Sequence, residues 1–227
     1  VLSFSNGGPI TTDAFPERIK FYPDASPTRL ETADIDGDGK LDLITSSIHQ
    51  ARRSAILRNT STSDVITFAA PVYATIALGF QSTGVFTIGD VNADGKPDLL
   101  GSNNPDGGVT IFLNNSTSGN ISFTPVSITP AGIGTILDLL VADFHNDGKP
   151  DVFIRNGTGL RVLQNTGNTS TIGFNLLPAF SISGTSPSRF RASDVDGDGK
   201  TDLLVNAING GVRKLIIHKN TSNGTNI

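Results

Sequence analysis

Apolar residues in this chain come in short blocks, and each block is bounded by Gly, Pro, Asn, Asp or Ser. Val85 to Gly89, Leu99 to Gly101, Val109 to Leu113 and Leu160 to Leu163 are too short for stable helices and have the length and boundaries of β-strands. No window sustains the i, i+3, i+4 spacing of an amphipathic helix. No apolar run approaches the roughly 20 residues that a membrane-spanning helix needs, so no membrane span is expected. The pattern predicts an all-β chain of many short strands.

The blocks repeat around four acidic stretches that align without gaps: Asp34 to Leu43 (DIDGDGKLDL), Asp90 to Leu99 (DVNADGKPDL), Asp143 to Val152 (DFHNDGKPDV) and Asp194 to Leu203 (DVDGDGKTDL). Successive first aspartates stand 56, 53 and 51 positions apart, a period of propeller-blade size. One strand precedes each stretch and two follow it. After an Asn-rich turn (Asn59-Thr-Ser, Asn114-Asn-Ser, Asn165-Thr-Gly, Asn220-Thr-Ser) a further strand begins at a recurring Phe: Phe68, Phe123 and Phe174. Those phenylalanines read as packing between blades. Four strands per repeat predict a β-propeller of four-stranded antiparallel blades, one domain over residues 1–227 with loops at 34–42, 90–98, 143–151 and 194–202. Leu2-Ser-Phe4 matches Ile121-Ser-Phe123, so a strand at about residues 2–5 is expected to complete the last blade. Two arrangements satisfy this phasing, a closed four-bladed ring and a fragment or half of a larger propeller.

The acidic loops are candidate metal sites. Side-chain oxygens fall at their first, third, fifth and ninth positions, with the one exception of His145 at the third position of loop 143–151, and a seventh-position lysine can turn its carbonyl inward. The candidate ligands are Asp34, Asp36, Asp38, Lys40 and Asp42; Asp90, Asn92, Asp94, Lys96 and Asp98; Asp143, His145, Asp147, Lys149 and Asp151; Asp194, Asp196, Asp198, Lys200 and Asp202. A glycine at the sixth position of every loop permits the sharp bend. Hard oxygen donors in this number suit Ca²⁺ over Mg²⁺, about one ion per repeat. The loops begin like EF-hands, but the twelfth position, where an EF-hand places a bidentate Glu, holds Thr45, Gly101, Ile154 and Val205. The ninth-position Asp is therefore expected to complete the shell. His145 is a poor ligand for a hard cation, which predicts a weaker site at 143–151 with water in place of the missing oxygen.

These residues resemble the FG-GAP or VCBS-type repeats of integrin α-subunit propellers and secreted bacterial surface proteins. Phe86-Thr-Ile-Gly-Asp90-Val-Asn-Ala-Asp-Gly95-Lys-Pro-Asp98-Leu-Leu-Gly101 is close to that pattern, and all four repeats share it. The resemblance implies a propeller, usually of seven blades, with calcium held between the first two strands of a blade.

Composition supports the metal reading independently. The loops hold 14 of the 21 Asp and Glu residues, and like charges packed so closely repel unless a cation joins them. Four Ca²⁺ would move the formal charge from −4 to +4, a weak hint of an anionic polysaccharide or membrane-surface partner, although scattered surface lysines explain it as well. Cysteine is absent, which excludes disulfides, thiolate metal sites and cysteine nucleophiles. His49, His145 and His218 lie at unrelated phases and no nucleophile elbow occurs, so no catalytic constellation assembles. Arg52-Arg53 is too little for nucleic acid. The expected function is a non-catalytic, calcium-binding extracellular scaffold or adhesion module, secreted or on the cell surface, with a protein or polysaccharide surface ligand. Self-association is expected if the ring is incomplete. A carbohydrate-binding, lectin-like propeller is the alternative, against which stand the absence of Trp and the presence of Tyr22 and Tyr73 alone. A second alternative is an accessory domain of a polysaccharide-degrading enzyme.

Overall fold

Each acidic loop joins two strands whose register places its ninth-position Asp opposite the residue just before its first Asp: Asp42 faces Ala33, Asp98 faces Gly89, Asp151 faces Ala142 and Asp202 faces Ser193. The structure, a computed structural model, describes residues 20–21, 27–47, 54–74, 85–103, 107–157, 159–179, 186–209 and 211–222. The strand expected near residues 2–5 lies outside them.

The first blade consists of β1 (Pro27–Ala33), β2 (Asp42–Ser47), β3 (Ser54–Leu57) and β4 (Val72–Ala74). The second holds β5 (Phe86–Gly89), β6 (Asp98–Asn103), β7 (Gly108–Asn114) and β8 (Phe123–Ile128). The third holds β9 (Ile136–Ala142), β10 (Asp151–Asn156), β11 (Gly159–Asn165) and β12 (Phe174–Leu176). The fourth shows β13 (Ser186–Ser193), β14 (Asp202–Asn209) and β15 (Val212–His218) among the described residues. Every sheet is an antiparallel meander in chain order. The first strands of successive blades, β1, β5, β9 and β13, touch one another, so the sheets are arranged radially as a four-bladed β-propeller. β8 and β12 start at the recurring Phe123 and Phe174. In blade one Phe68 makes only an isolated bridge to Asn59, and the outer strand forms later, at Val72.

The core is distributed between blades, because a four-stranded sheet buries little by itself and each face must find a neighbour. Alternate residues of β2 and β3, Ile44 and Ile56, face the following blade and pack with Phe86, Leu99 and Phe112. Leu100 and Ile111 of blade two join Leu139, Val152 and Ile154 of blade three. Phe153 and Val162 of blade three join Phe190, Leu203 and Val205 of blade four. Phe123 and Phe174 are partly buried against these clusters, as their phase suggested.

One close approach is made possible by a missing side chain. A Cβ on Gly89 would lie 2.4 Å from Cγ1 of Val141, so only glycine lets the end of β5 meet β9 at this spacing. Nearer the axis, Arg29 on β1 reaches past β5 to the buried carboxylate of Asp138 on β9 at 3.0 Å.

Candidate metal centre

All four loops have one backbone shape. The sixth-position glycines, Gly39, Gly95, Gly148 and Gly199, have φ between 80° and 87°, which confirms the bend that glycine was expected to supply. The fourth position is left-handed as well: Gly37 and Gly197 fill it in two loops, and Ala93 (φ 57°) and Asn146 (φ 58°) in the others. For Ala93 that conformation costs about 1–2 kcal/mol, a strain the rest of the loop must offset.

The loop backbone wraps its carboxylates. The first Asp accepts the sixth-position N–H in each loop, at 2.9 Å for Asp34, 2.8 Å for Asp90, 2.8 Å for Asp143 and 2.9 Å for Asp194. The fifth Asp accepts the seventh-position N–H, from Lys40 to Asp38, Lys96 to Asp94, Lys149 to Asp147 and Lys200 to Asp198. Each such oxygen keeps a second lone pair that a cation can use. The loops thus gather acidic oxygens on a frame of backbone donors.

The carboxylate oxygens of Asp34, Asp36 and Asp38 lie within 4.8 Å of one another, as do those of Asp194, Asp196 and Asp202. In loop 90–98 the third oxygen comes from Asn92, whose side chain bonds Asp94 through both its ends. Loop 143–151 is different. His145 is buried and its Nδ1 meets Oδ2 of Asp151 at 2.8 Å, while its Nε2 meets the Gln164 amide nitrogen at 2.9 Å. With the amide donating, the ring hydrogen sits on Nδ1, so imidazole and Asp151 satisfy each other.

The ninth-position aspartates have a second task. Each is buried and accepts one N–H from its own loop and one from the end of β3 or its equivalent: Asp42 from Ile35 and Asn59, Asp98 from Val91 and Asn114, Asp151 from Phe144 and Asn165, Asp202 from Val195 and Asn220. Burial pushes the Asp98 carboxyl up to about 6, against the pull of its two backbone donors and with the help of nearby Asp94 and Asp90. Asp42 and Asp151 are raised for the same first reason. Asp202 also belongs to a carboxylate trio, whereas the trio of the first loop is built from Asp34, Asp36 and Asp38 without Asp42.

Two of the loop lysines turn their ammonium groups to backbone carbonyls outside the loop. Lys96 donates to the Ser116 carbonyl and Lys200 to that of Ser222, leaving only a backbone carbonyl to offer a cation. In the fourth loop Lys219 binds the carboxylates of Asp196 and Asp198. The Lys200 backbone N–H and then the Lys219 ammonium hold the Asp198 carboxyl down, and the hydrogen bonds to Asp196 and Asp198 hold the Lys219 ammonium up.

One set of residues at the site escaped the sequence reading. The asparagines of the Asn-rich turns clamp blades together: the Nδ2 of Asn114 donates to the Ile35 carbonyl at 2.8 Å, that of Asn165 to Val91 at 2.7 Å and that of Asn220 to Phe144 at 2.9 Å. Each acceptor is the second residue of the preceding blade's acidic loop. Gly119 of blade two likewise donates to Asp36 in the first loop at 2.8 Å. The signal was the asparagines' constant phase after each loop, which turn propensity alone seemed to explain.

A family model described as FG-GAP-like repeat matches residues 90–154 and again 143–205. Among curated proteins none matches the sequence. A solved structure of an Agrocybe aegerita lectin, described as showing specific recognition of non-reducing terminal N-acetylglucosamine, is similar in fold, with a TM-score of 0.52 at 20% identity. The likeness covers 84% of this chain and 51% of that one, so the chain spans about half the length of that structure. The acidic loops and their flanking strands carry the family match through the second, third and fourth repeats, and the chain belongs to the FG-GAP-like repeat family.

Proposed function

We propose that this chain is a non-catalytic, calcium-binding scaffold that works outside the cell as an adhesion or surface-interaction module. The observation that carries this reading is the pair of carboxylate trios, Asp34 with Asp36 and Asp38, and Asp194 with Asp196 and Asp202, each drawn within 4.8 Å inside a single loop. Calcium takes six to eight oxygen ligands at about 2.3–2.6 Å in flexible geometry, which suits short carboxylates backed by carbonyls and water. Asp90, Asn92 and Asp94 would serve in the second loop, and Asp143 with Asp147 in the third. The lysines at position seven would contribute backbone carbonyls. What bound calcium supplies is charge neutralisation, tying the two strands of a hairpin together. A scaffold role fits carboxylates that recur in every blade and hydrogen-bond to their own loop backbone, where a catalytic pair would be confined to one place. Sites of extracellular modules hold calcium at roughly 10⁻⁴ to 10⁻³ M, a range that cytosolic calcium would leave empty. The partner on this reading is a protein or polysaccharide surface.

Calorimetric titration of calcium into chelator-treated protein tests the assignment. Binding is expected to be weaker at 143–151 than at 34–42, 90–98 and 194–202, because Asp151 is engaged with His145. His145→Asp should strengthen that one site about tenfold, since each added carboxylate raises the charge of the ligand set. Four equal affinities in the unaltered chain, or no heat at all, would sink the proposal.

A second reading, binding of a terminal sugar, is favoured by the lectin of similar fold. A glycan array probed with and without calcium decides it, and an array without saturable signal at high protein concentration removes it.

A further inference from the structure

The third position of each acidic loop has a fixed counterpart on the third strand of its own blade. The tenth residues counted from each first Asp, Leu43, Leu99, Val152 and Leu203, pair with Leu57, Phe112, Leu163 and His218. One step further along stand Arg58, Leu113, Gln164 and Lys219, each just before the first asparagine of its turn. What occupies this place follows what occupies the third loop position. Nε of Arg58 lies 4.0 Å from Oδ2 of Asp36. Nζ of Lys219 bonds Asp196 and stands 3.2 Å from Oδ2 of Asp198. Where the third position is His145, the counterpart is the amide of Gln164, at 2.9 Å from the ring. Where it is Asn92, the counterpart is the uncharged Leu113.

This matching evens out the loops. Those at 34–42 and 194–202 carry four aspartates, and those at 90–98 and 143–151 carry three. One facing cation on each of the first two leaves all four with the same balance of charge, since the seventh-position lysine is common to them all. The two cations are held differently. Arg58 faces a carboxylate that is fully buried and that also accepts the Gly119 N–H of the next blade. Lys219 is 57% exposed, on a flexible four-carbon stem, and it touches two carboxylates at once. One of these, Asp196, belongs to the trio with Asp194 and Asp202.

We infer that Arg58 and Lys219 are built-in counter-cations of the first and fourth loops, and that Lys219 competes with calcium for Asp196 and Asp198. The inference rests on the calcium reading of these loops. On it, the fourth aspartate of a loop does not simply add affinity, because a cation of the same blade already claims it. Calcium enters the fourth loop only as the ammonium gives up its carboxylates, so Lys219 is a residue that sets the affinity of that site and balances its charge when it is empty. The size of the effect follows from charge. At about 6 Å in water, a unit charge repels a divalent ion strongly enough to lower its binding constant about tenfold. The same exposed pair contributes little to folding, since surface ion pairs are typically worth about 0–1 kcal/mol.

Calorimetric titration of calcium at low ionic strength into the full chain and its variants provides the test. Lys219→Gln should bind calcium about tenfold more tightly at the fourth loop while its circular dichroism stays the same. Lys219→Arg, which keeps the cation, should titrate like the unaltered chain. In the Asp194→Ala background, which removes a ligand of the fourth loop, Lys219→Gln should bring no gain. The advantage of Lys219→Gln should also shrink to about twofold in 0.5 M KCl, where charges are screened over a few ångströms. Equal affinities for Lys219→Gln and the unaltered chain would overturn the inference. So would a gain that persists in the Asp194→Ala background, which would place the action of the lysine outside the fourth loop. Both of these results leave the calcium reading standing, whereas an absence of calcium heat from the unaltered chain removes that reading and the inference together.

Discussion

Moving the protein from about 10 mM calcium into excess EGTA should lower its melting temperature by at least about 10 °C. A site filled at 10 to 100 times its dissociation constant stabilises the fold by about 1.4 to 2.7 kcal/mol, so several sites together contribute about 5 kcal/mol or more. For a chain of this length each kcal/mol is worth about 2–4 °C. The loss is large beside the roughly 5–15 kcal/mol of a typical domain. Without a cation the carboxylates of each trio repel, and Asp98, with its carboxyl already pushed up to about 6, is held ionised beside Asp94 and Asp90 in a buried place. Asp34→Ala and Asp194→Ala should each lose part of the calcium-dependent shift. Magnesium should restore little of it, because it prefers strict octahedral geometry and retains its waters. Melting curves that coincide in calcium and in EGTA would remove calcium from the account of stability.

Asn165→Ala should destabilise the fold by about 3 kcal/mol, while Asn59→Ala should cost about half as much. Both asparagines sit at the same point of their repeats. The Nδ2 of Asn165 donates to the carbonyls of Val91 and Pro150, and its Oδ1 accepts the Gly167 N–H. Substitution leaves three backbone groups without their partner, two of them buried and one half-buried, and one of the buried ones belongs to another blade. Asn59 makes the two local bonds, to Leu41 and from Ser61, but its blade has no predecessor among the described residues. The difference between the two variants therefore measures the clamp between blades. Thr169→Ala, at an exposed position of the same turn, should stay within about 0.5 kcal/mol. Urea denaturation in saturating calcium provides the comparison, and equal losses at Asn165 and Asn59 would show that the cross-blade bond contributes nothing.

Local chemistry was legible in the sequence. A glycine at the sixth position of every loop specifies a left-handed residue wherever the chain folds, and Asp at the first and fifth positions finds its backbone donors within five residues. The strand after each loop and the recurring Phe123 and Phe174 likewise followed from short-range pattern, because alternation and turn residues act over a few positions. Tertiary structure decided the remainder. His145 stood at a ligand position by spacing, yet burial pairs it with Asp151 and Gln164. The ninth-position aspartates looked like ligands alone, and they turn out to pin β3 or its equivalent to the loop. The asparagine clamps join residues 74 to 79 positions apart, and no local rule reaches so far. Leu30 and Leu215 read as ordinary strand residues, yet they are exposed where their counterparts Phe86, Leu139 and Phe190, and Val109 and Leu160, are buried. A repeat specifies each blade through contacts inside its own segment, but which faces are covered depends on what stands next to that blade in space.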